Sequence, residues 1–242
     1  MYEQNLPKEY FGLPVGDAHG MSLHESQSLL WERHIFLSKP FWKKIFQNVT
    51  TQFQHLSKDL NYEMAYREVN TINPTYIRVE ADEVTYPIHI IIRYEIEKGL
   101  FNGEYEVEDL PKIFNKKMKD YLGIEPDNDS NGVLQDIHWN FGAYGYFPSY
   151  LYGQMVKHIV TFFLILNFKL ASQIFNQLTK EIPNINEKIE NGEFSDLKNW
   201  LVTRIHQKGS SLSLDDLMIE VTGEKLNPDH FLNYLKTKYN NI

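Results

Sequence analysis

The 242-residue chain is long enough for one large domain or two small ones, and long enough to bury a core without covalent staples. It has no cysteine, which excludes disulfides, thiolate zinc sites and a cysteine nucleophile. Lys and Arg number 24 against 32 Asp and Glu, a formal charge of −8 that argues against a nucleic-acid partner, because neutralising phosphates needs a basic surplus. Aromatic residues make up 14% of the chain, too many for a disordered one.

The opening MYEQNLPKEY has no apolar core of a secretory signal. The longest apolar run, Ile159 to Leu166, is broken by Thr161 and is too short for a bilayer. These features predict a soluble cytoplasmic protein with no membrane partner.

The periodicity is helical. His24 to Phe36 places Leu29, Leu30, Trp31 and Ile35 inward, with Pro40 closing the segment. From Phe41 to Leu60, apolar residues recur at Trp42, Ile45, Phe46, Val49, Phe53, Leu56 and Leu60, one face of a helix. Asn73-Pro74 marks a turn, and Tyr76 to Leu100 reads as a helix bent at Pro87, with Gly99 and Gly103 bracketing its end. Glu104 to Glu108 reads as loop or short strand. Asp109-Leu110-Pro111 opens a helix that Gly123 ends, and Asp127 to Asn131 is a polar loop.

Further on, Ser195 is placed to cap a helix through Trp200 and Ile205, followed by Gly209. Ser213-Leu214-Asp215-Asp216 starts a second, stopped by Gly223, and Asn227-Pro228 opens the last, ending near Tyr239. No set of alternating segments suggests a large sheet. The expected fold is mainly α, with at most a minor β element, as a single helical domain over 1–242.

Phosphate loops, nucleophile elbows and HExxH are absent from the 242 residues. Three polar clusters remain: His24-Glu25-Ser26-Gln27, preceded by Asp17 and His19; Arg78-Val79-Glu80-Ala81-Asp82-Glu83; and Gly132 to Trp139, followed by Tyr144, Tyr146, Tyr150 and Tyr152. Each has an ordinary structural explanation: a surface His–Glu pair, acids favoured at a helix start, or an Asp orienting a ring. Together they hold the residue types of a hydrolytic metal centre: carboxylate and imidazole, a donor for an oxyanion and a cation for a carboxylate.

The three clusters resemble, in order and approximate separation, the motifs of the carboxypeptidase Taq family of zinc metallocarboxypeptidases. HES/GQ matches His24 to Gln27. The Arg/Glu/Ala/Asp motif matches Ile77 to Asp82. GxxQDxHW matches at Gly132, Gln135, Asp136, His138 and Trp139, next to GYFPSY at Gly145 to Tyr150. The resemblance covers nearly the whole chain. It implies a helical groove related to thimet-oligopeptidase-like peptidases, release of single residues from peptide C-termini with broad specificity, one divalent metal (usually zinc), peptide substrates and pairing as homodimers.

Carried over by position, Glu25 is a metal ligand, with His24 and Gln27 supporting it and Asp82 as a further supporting residue. Arg78 is the candidate for the substrate carboxylate, with Gln135 and Asp136 beside it. His138 donates to the oxyanion, and Tyr146 or Tyr150 shares that task.

Met1-Tyr2-Glu3-Gln4 resembles the segment that follows the family's HExxH almost directly. The sequence therefore reads as a C-terminal part whose metal site is incomplete and which is inactive alone. Val156 to Leu170 reads as an insertion relative to the family, or as an ordinarily lengthened helix. Two other readings remain: a non-catalytic helical protein using the groove for binding or association, and a different metallohydrolase with Asp17, His19, Glu25, Asp136 and His138 as ligands.

Overall fold

The computed structural model describes residues 1–53, 60–145 and 166–241. Among them the secondary structure is helical and no strand occurs, so Glu104 to Glu108 is loop running into the short 3-10 helix Val107–Asp109. The chain forms two compact units, one of Met1–Asn70 with Asn167–Ile242, the other of Thr71–Leu166.

In the first unit, α1 (Gly20–Leu29) runs into a wider π-helical segment, Leu30–Phe36. Leu23, Leu30 and Ile35 are fully buried, and Trp31 is half-buried. Pro40 does not close this segment. It lies in the first turn of α2 (Lys39–Gln52), where its missing N–H costs nothing, and Ser38 Oγ accepts from Phe41 N at 3.4 Å as the cap. Trp42, Ile45, Phe46 and Val49 are half-buried on one face of α2, which packs on α3 (Tyr62–Val69) and α7 (Ile185–Asn191). Phe53 ends α2, Leu56 falls outside the described residues and Leu60 lies beyond the helix.

The later helices of this unit are α6 (Leu166–Glu181), α8 (Ser195–Arg204), α9 (Leu214–Thr222) and α10 (Asp229–Tyr239). Ser195 is the first residue of α8 and not its cap. Phe194 takes that place and offers no side-chain acceptor. The start of α9 is as expected: Ser213 Oγ accepts from Asp216 N and donates to Asp216 Oδ2 at 2.6 Å, and Gly223 ends the helix at φ +82°. Asn227 Oδ1 accepts from Asp229 N at 3.0 Å at the start of α10.

In the second unit, α4 (Tyr86–Phe101) starts ten residues later than the periodicity suggests. Asp82 explains the delay. Its Oδ1 accepts from Val84 N and Thr85 N at 2.8 and 2.9 Å and its Oδ2 from the Thr85 hydroxyl, a local network that satisfies donors ahead of the helix. Pro87 therefore sits in the first turn and bends nothing. Gly99 lies inside α4, where the Tyr105 ring occupies the space a Cβ would need. Pro111 lies in the first turn of α5 (Leu110–Leu122), and Gly123 ends it at φ +73°. Ile92 and Ile96 of α4 and Phe114, Met118 and Leu122 of α5 form the core with Val133, and Trp139 packs against it. The 156–170 stretch lies outside the described residues up to 165; Leu166 to Leu170 form the buried first turn of α6.

Three buried histidines link this packing to pH. Burial pulls His34 down to about 3 and His89 and His206 down to about 4. Nearby Lys238, Arg93 and the N-terminal ammonium respectively push the same way. Their folded-state pKa values lie below the unfolded one, so the unfolded chain binds more protons. The stability they confer is present above about pH 6.5 and is lost as pH falls towards 4 and 3. Urea unfolding should therefore show stability dropping between pH 6.5 and 5, by about 1.4 kcal/mol per pH unit for each histidine once well below 6.5. A flat profile over that window would contradict this account.

Candidate functional site

The second unit assembles its chemistry around one carboxylate. Asp136 follows the turn at Asp127 to Asn131, and its side chain is 11% exposed. Oδ1 accepts from Arg78 Nε at 3.2 Å and Nη2 at 2.9 Å, and Oδ2 accepts from Arg93 Nε. Burial alone would raise the Asp136 carboxyl, but Arg93 and Arg78 outweigh it and hold it below its ordinary value.

Each arginine is fixed on its other side. Arg78 Nη1 donates to the Tyr86 hydroxyl at 3.0 Å, and Arg78 N donates to Gln135 Oε1 at 3.0 Å. Arg93 Nη1 donates to the His89 carbonyl one turn back at 2.9 Å, and its guanidinium lies 5.3 Å from the centre of the Phe114 ring.

Gln135, Asp136, His138 and Trp139 thus have separate tasks. Gln135 Nε2 donates to the carbonyls of Tyr76 and Asn131 at 2.7 and 3.2 Å, tying the motif loop to the strand-like approach before Arg78. Trp139 Nε1 donates to Glu97 Oε1 at 2.6 Å, and Gly145 N donates to Glu97 Oε2 at 3.1 Å. Burial raises the Glu97 carboxyl while these two bonds oppose it.

Between the anchors, His138 Nδ1 stands 3.8 Å from Asp136 Oδ1. Burial lowers its pKa; Asp136 works against that, and Arg78 and Arg93 add to it. The net effect disfavours the imidazolium form. The residues that sequence reasoning missed here are Arg93, Glu97 and Tyr86. A signal for the first two existed: Arg93 and Glu97 interrupt the apolar run of α4 at helical spacing from His89, and charges on a buried face require partners.

The first unit holds the other cluster. Glu25 is half-buried on α1, and no lysine or arginine among the described residues forms an ion pair with it. Burial raises its carboxyl; Ser28 and His24 oppose this, and Glu32 adds to it. His24 Nε2 is 3.2 Å from Glu3 Oε1, and its ring lies 5.6 Å from the Tyr2 ring, tilted by 44°. Gln27 is turned inward: its Oε1 meets His206 Nε2 at 3.2 Å and its Nε2 donates to Ser26 Oγ at 3.1 Å. His206 in turn lies 4.9 Å from the Tyr2 ring.

A half-buried carboxylate suits one ligand of a cation. No three His, Asp or Glu side chains among the described residues come together to hold a metal ion. The described residues therefore fit one donor of a metal site and no whole site. Asp82, expected to support the site, caps the approach to α4 as described. Tyr146, Tyr150 and Tyr152 lie outside the described residues, and Asp17 and His19 bring no metal cluster with them.

A helical scaffold with a buried Arg–Asp–Arg clamp beside a histidine, and a half-buried glutamate on α1, has some of the residue types of a helical metallopeptidase. Comparison with known proteins makes the assignment specific. Residues 1–239 match the carboxypeptidase Taq (M32) metallopeptidase family, and the chain belongs to that family.

It is 40% identical over 242 residues to carboxypeptidase 1 of Bacillus subtilis (strain 168), covering all of this chain and 46% of that protein. It is 40% identical over 239 residues to thermostable carboxypeptidase 1 of Thermus thermophilus, covering 99% and 44%. Among solved structures it superposes on Trypanosoma cruzi metallocarboxypeptidase 1 with a TM-score of 0.87 at 34% identity, covering 99% of this chain and 47% of that one. For a Pyrococcus furiosus carboxypeptidase structure the TM-score is 0.88 at 33% identity, covering 98% and 45%. The chain spans just under half the length of these relatives.

Breaking the clamp should be costly, because removing the acid strands two buried guanidinium groups. Asp136→Asn should lower unfolding stability by about 3–5 kcal/mol, whereas Asp17→Asn should change it by under about 0.5 kcal/mol. Denaturant unfolding of the two variants checks the contrast.

Proposed function

We propose that this chain furnishes the carboxylate-recognition and oxyanion side of a zinc-dependent carboxypeptidase that releases single amino acids from peptide C-termini with broad specificity. The observation that carries the reading is the Asp136 clamp with Arg78 and His138 on it, in a chain whose family and relatives are carboxypeptidases. The enzyme acts in the cytoplasm on peptides and pairs as a homodimer; no helix among the described residues is long and apolar enough to cross a membrane.

Arg78 recognises the terminal carboxylate of the peptide. Asp136 on the Nε and Nη2 edge and the Tyr86 hydroxyl on Nη1 hold the guanidinium in place for that task. His138 donates an N–H hydrogen bond to the oxyanion of the attacked carbonyl, and Tyr146 or Tyr150 assists. Gln135 and Asp136 fix these groups and so reduce the ordering needed in the transition state.

Glu25 is one metal ligand, with His24 and Gln27 bracketing it on α1. A bound zinc ion would activate water and polarise the carbonyl. With one carboxylate where a catalytic zinc takes three protein ligands, the chain alone is inactive.

The isolated 242-residue chain should release no amino acids from peptides with zinc present, and zinc-dependent release would refute this. The positive test is a chimera in which this chain replaces the matching segment of the Bacillus subtilis relative. That chimera should be active, and Glu25→Gln should empty it of metal. Arg78→Met should cut the preference for a free C-terminal carboxylate over its amide by about 10- to 100-fold, the range of a hydrogen bond to a charged group. An unchanged preference would remove Arg78 from its role.

A further inference from the structure

We propose that Arg93 is a positioning residue for His138, acting through Asp136: it pins the second carboxylate oxygen so that Arg78, Asp136 and the imidazole are held in one arrangement. This extends the reading above and takes its catalytic meaning from it. Arg93 touches no reacting group in that scheme, yet its side chain is 1% exposed and committed along its length. Nε meets Asp136 Oδ2, Nη1 meets the carbonyl of His89, and the guanidinium covers Phe114.

The division of the carboxylate is what makes the residue necessary. Both bonds from Arg78 fall on Oδ1, the oxygen that also faces His138 at 3.8 Å. A carboxylate held at one oxygen can swing about its χ2 torsion, which is soft for an aspartate. Arg93 on the other oxygen blocks that rotation. Because α4 is packed into the Ile92–Phe114 core, it supplies a fixed reference for a loop residue. At 3.8 Å the carboxylate acts on the ring through its field, so a fixed acid gives the imidazole one electrostatic setting.

Ordinary core packing explains a buried aliphatic side chain at position 93. It does not explain a buried guanidinium, which carries a desolvation cost that a leucine would avoid.

The charged groups that act on His138 are Asp136, Arg78 and Arg93. Two variants separate charge from geometry, read by histidine NMR on the full chain, with His138 assigned from His138→Gln. Arg93→Gln removes the charge, and the His138 midpoint should rise by about one pH unit, since a nearby cation opposes imidazolium formation. Arg93→Lys keeps the charge but loses the planar fork. Its midpoint should stay within a few tenths of the original while the neutral-form Hε1 and Cε1 shifts of His138 change.

A purely structural Arg93 would lower the melting temperature of folded Arg93→Gln without moving the His138 midpoint, and that result overturns the proposal. If Arg93→Gln does not fold, Arg93→Lys decides, and His138 shifts identical to the parent overturn it. None of these readouts needs turnover, so a chain that proves to have no part in peptide hydrolysis would leave the positioning result standing.

Discussion

The second unit depends on Asp136 being ionised where water is scarce. A carboxylate at that depth is unfavourable unless its charge is met, and two guanidinium groups meet it from separate parts of the chain. Arg78 comes from the turn before α4 and Arg93 from within it, while Asp136 lies more than forty residues further on. One acidic side chain therefore joins a loop, a helix and the motif segment. Such a junction need not add net stability over apolar packing. What it adds is a defined geometry, since a guanidinium satisfies a carboxylate in few orientations.

The histidine beside this junction acquires its properties from it. Burial and the two arginines lower the His138 pKa, and Asp136 resists them in part. The opposing influences come from groups fixed by their own hydrogen bonds, so the ring's state is a property of the clamp. Trp139, on the neighbouring position, takes no part in the charge. It fastens the same segment to Glu97 and the α4–α5 core. Gln-Asp-x-His-Trp thus reads as backbone anchor, charge anchor, ring and indole anchor.

Much of this was legible in the sequence, and the failures have physical causes. Helix ends set by local chemistry were readable: Gly123 and Gly223 end helices in the left-handed conformation, and Ser213 forms its reciprocal cap. Prolines were misread where a side-chain cap a few residues upstream decides their role. Pro40 and Pro87 each occupy a first turn, the one helical place that tolerates them, because Ser38 and Asp82 satisfy the donors ahead. The motif residues Arg78, Asp136 and His138 were found, but their pairing was not. Periodicity reports which face is buried and is silent on which charge meets which across 58 positions. Arg93 was passed over because an isolated arginine in an apolar helix looks like an exception until its acid is located.

Gln27 shows the same limit from the other side. Its place two residues after Glu25 in the motif suggests support for that carboxylate, yet its amide faces inward to His206, 179 residues away. That bond joins α1 to the turn after α8, and the Tyr2 ring lies against the same imidazole. Adjacent motif residues on a helix point roughly 100° apart for each step, so a four-residue motif cannot all address one ion. Glu25 keeps a half-buried carboxylate, while Gln27 locks the helix that carries it. The motif thus sets a half-buried acid beside the amide that fastens its helix, as Arg93 fastens Asp136 to α4.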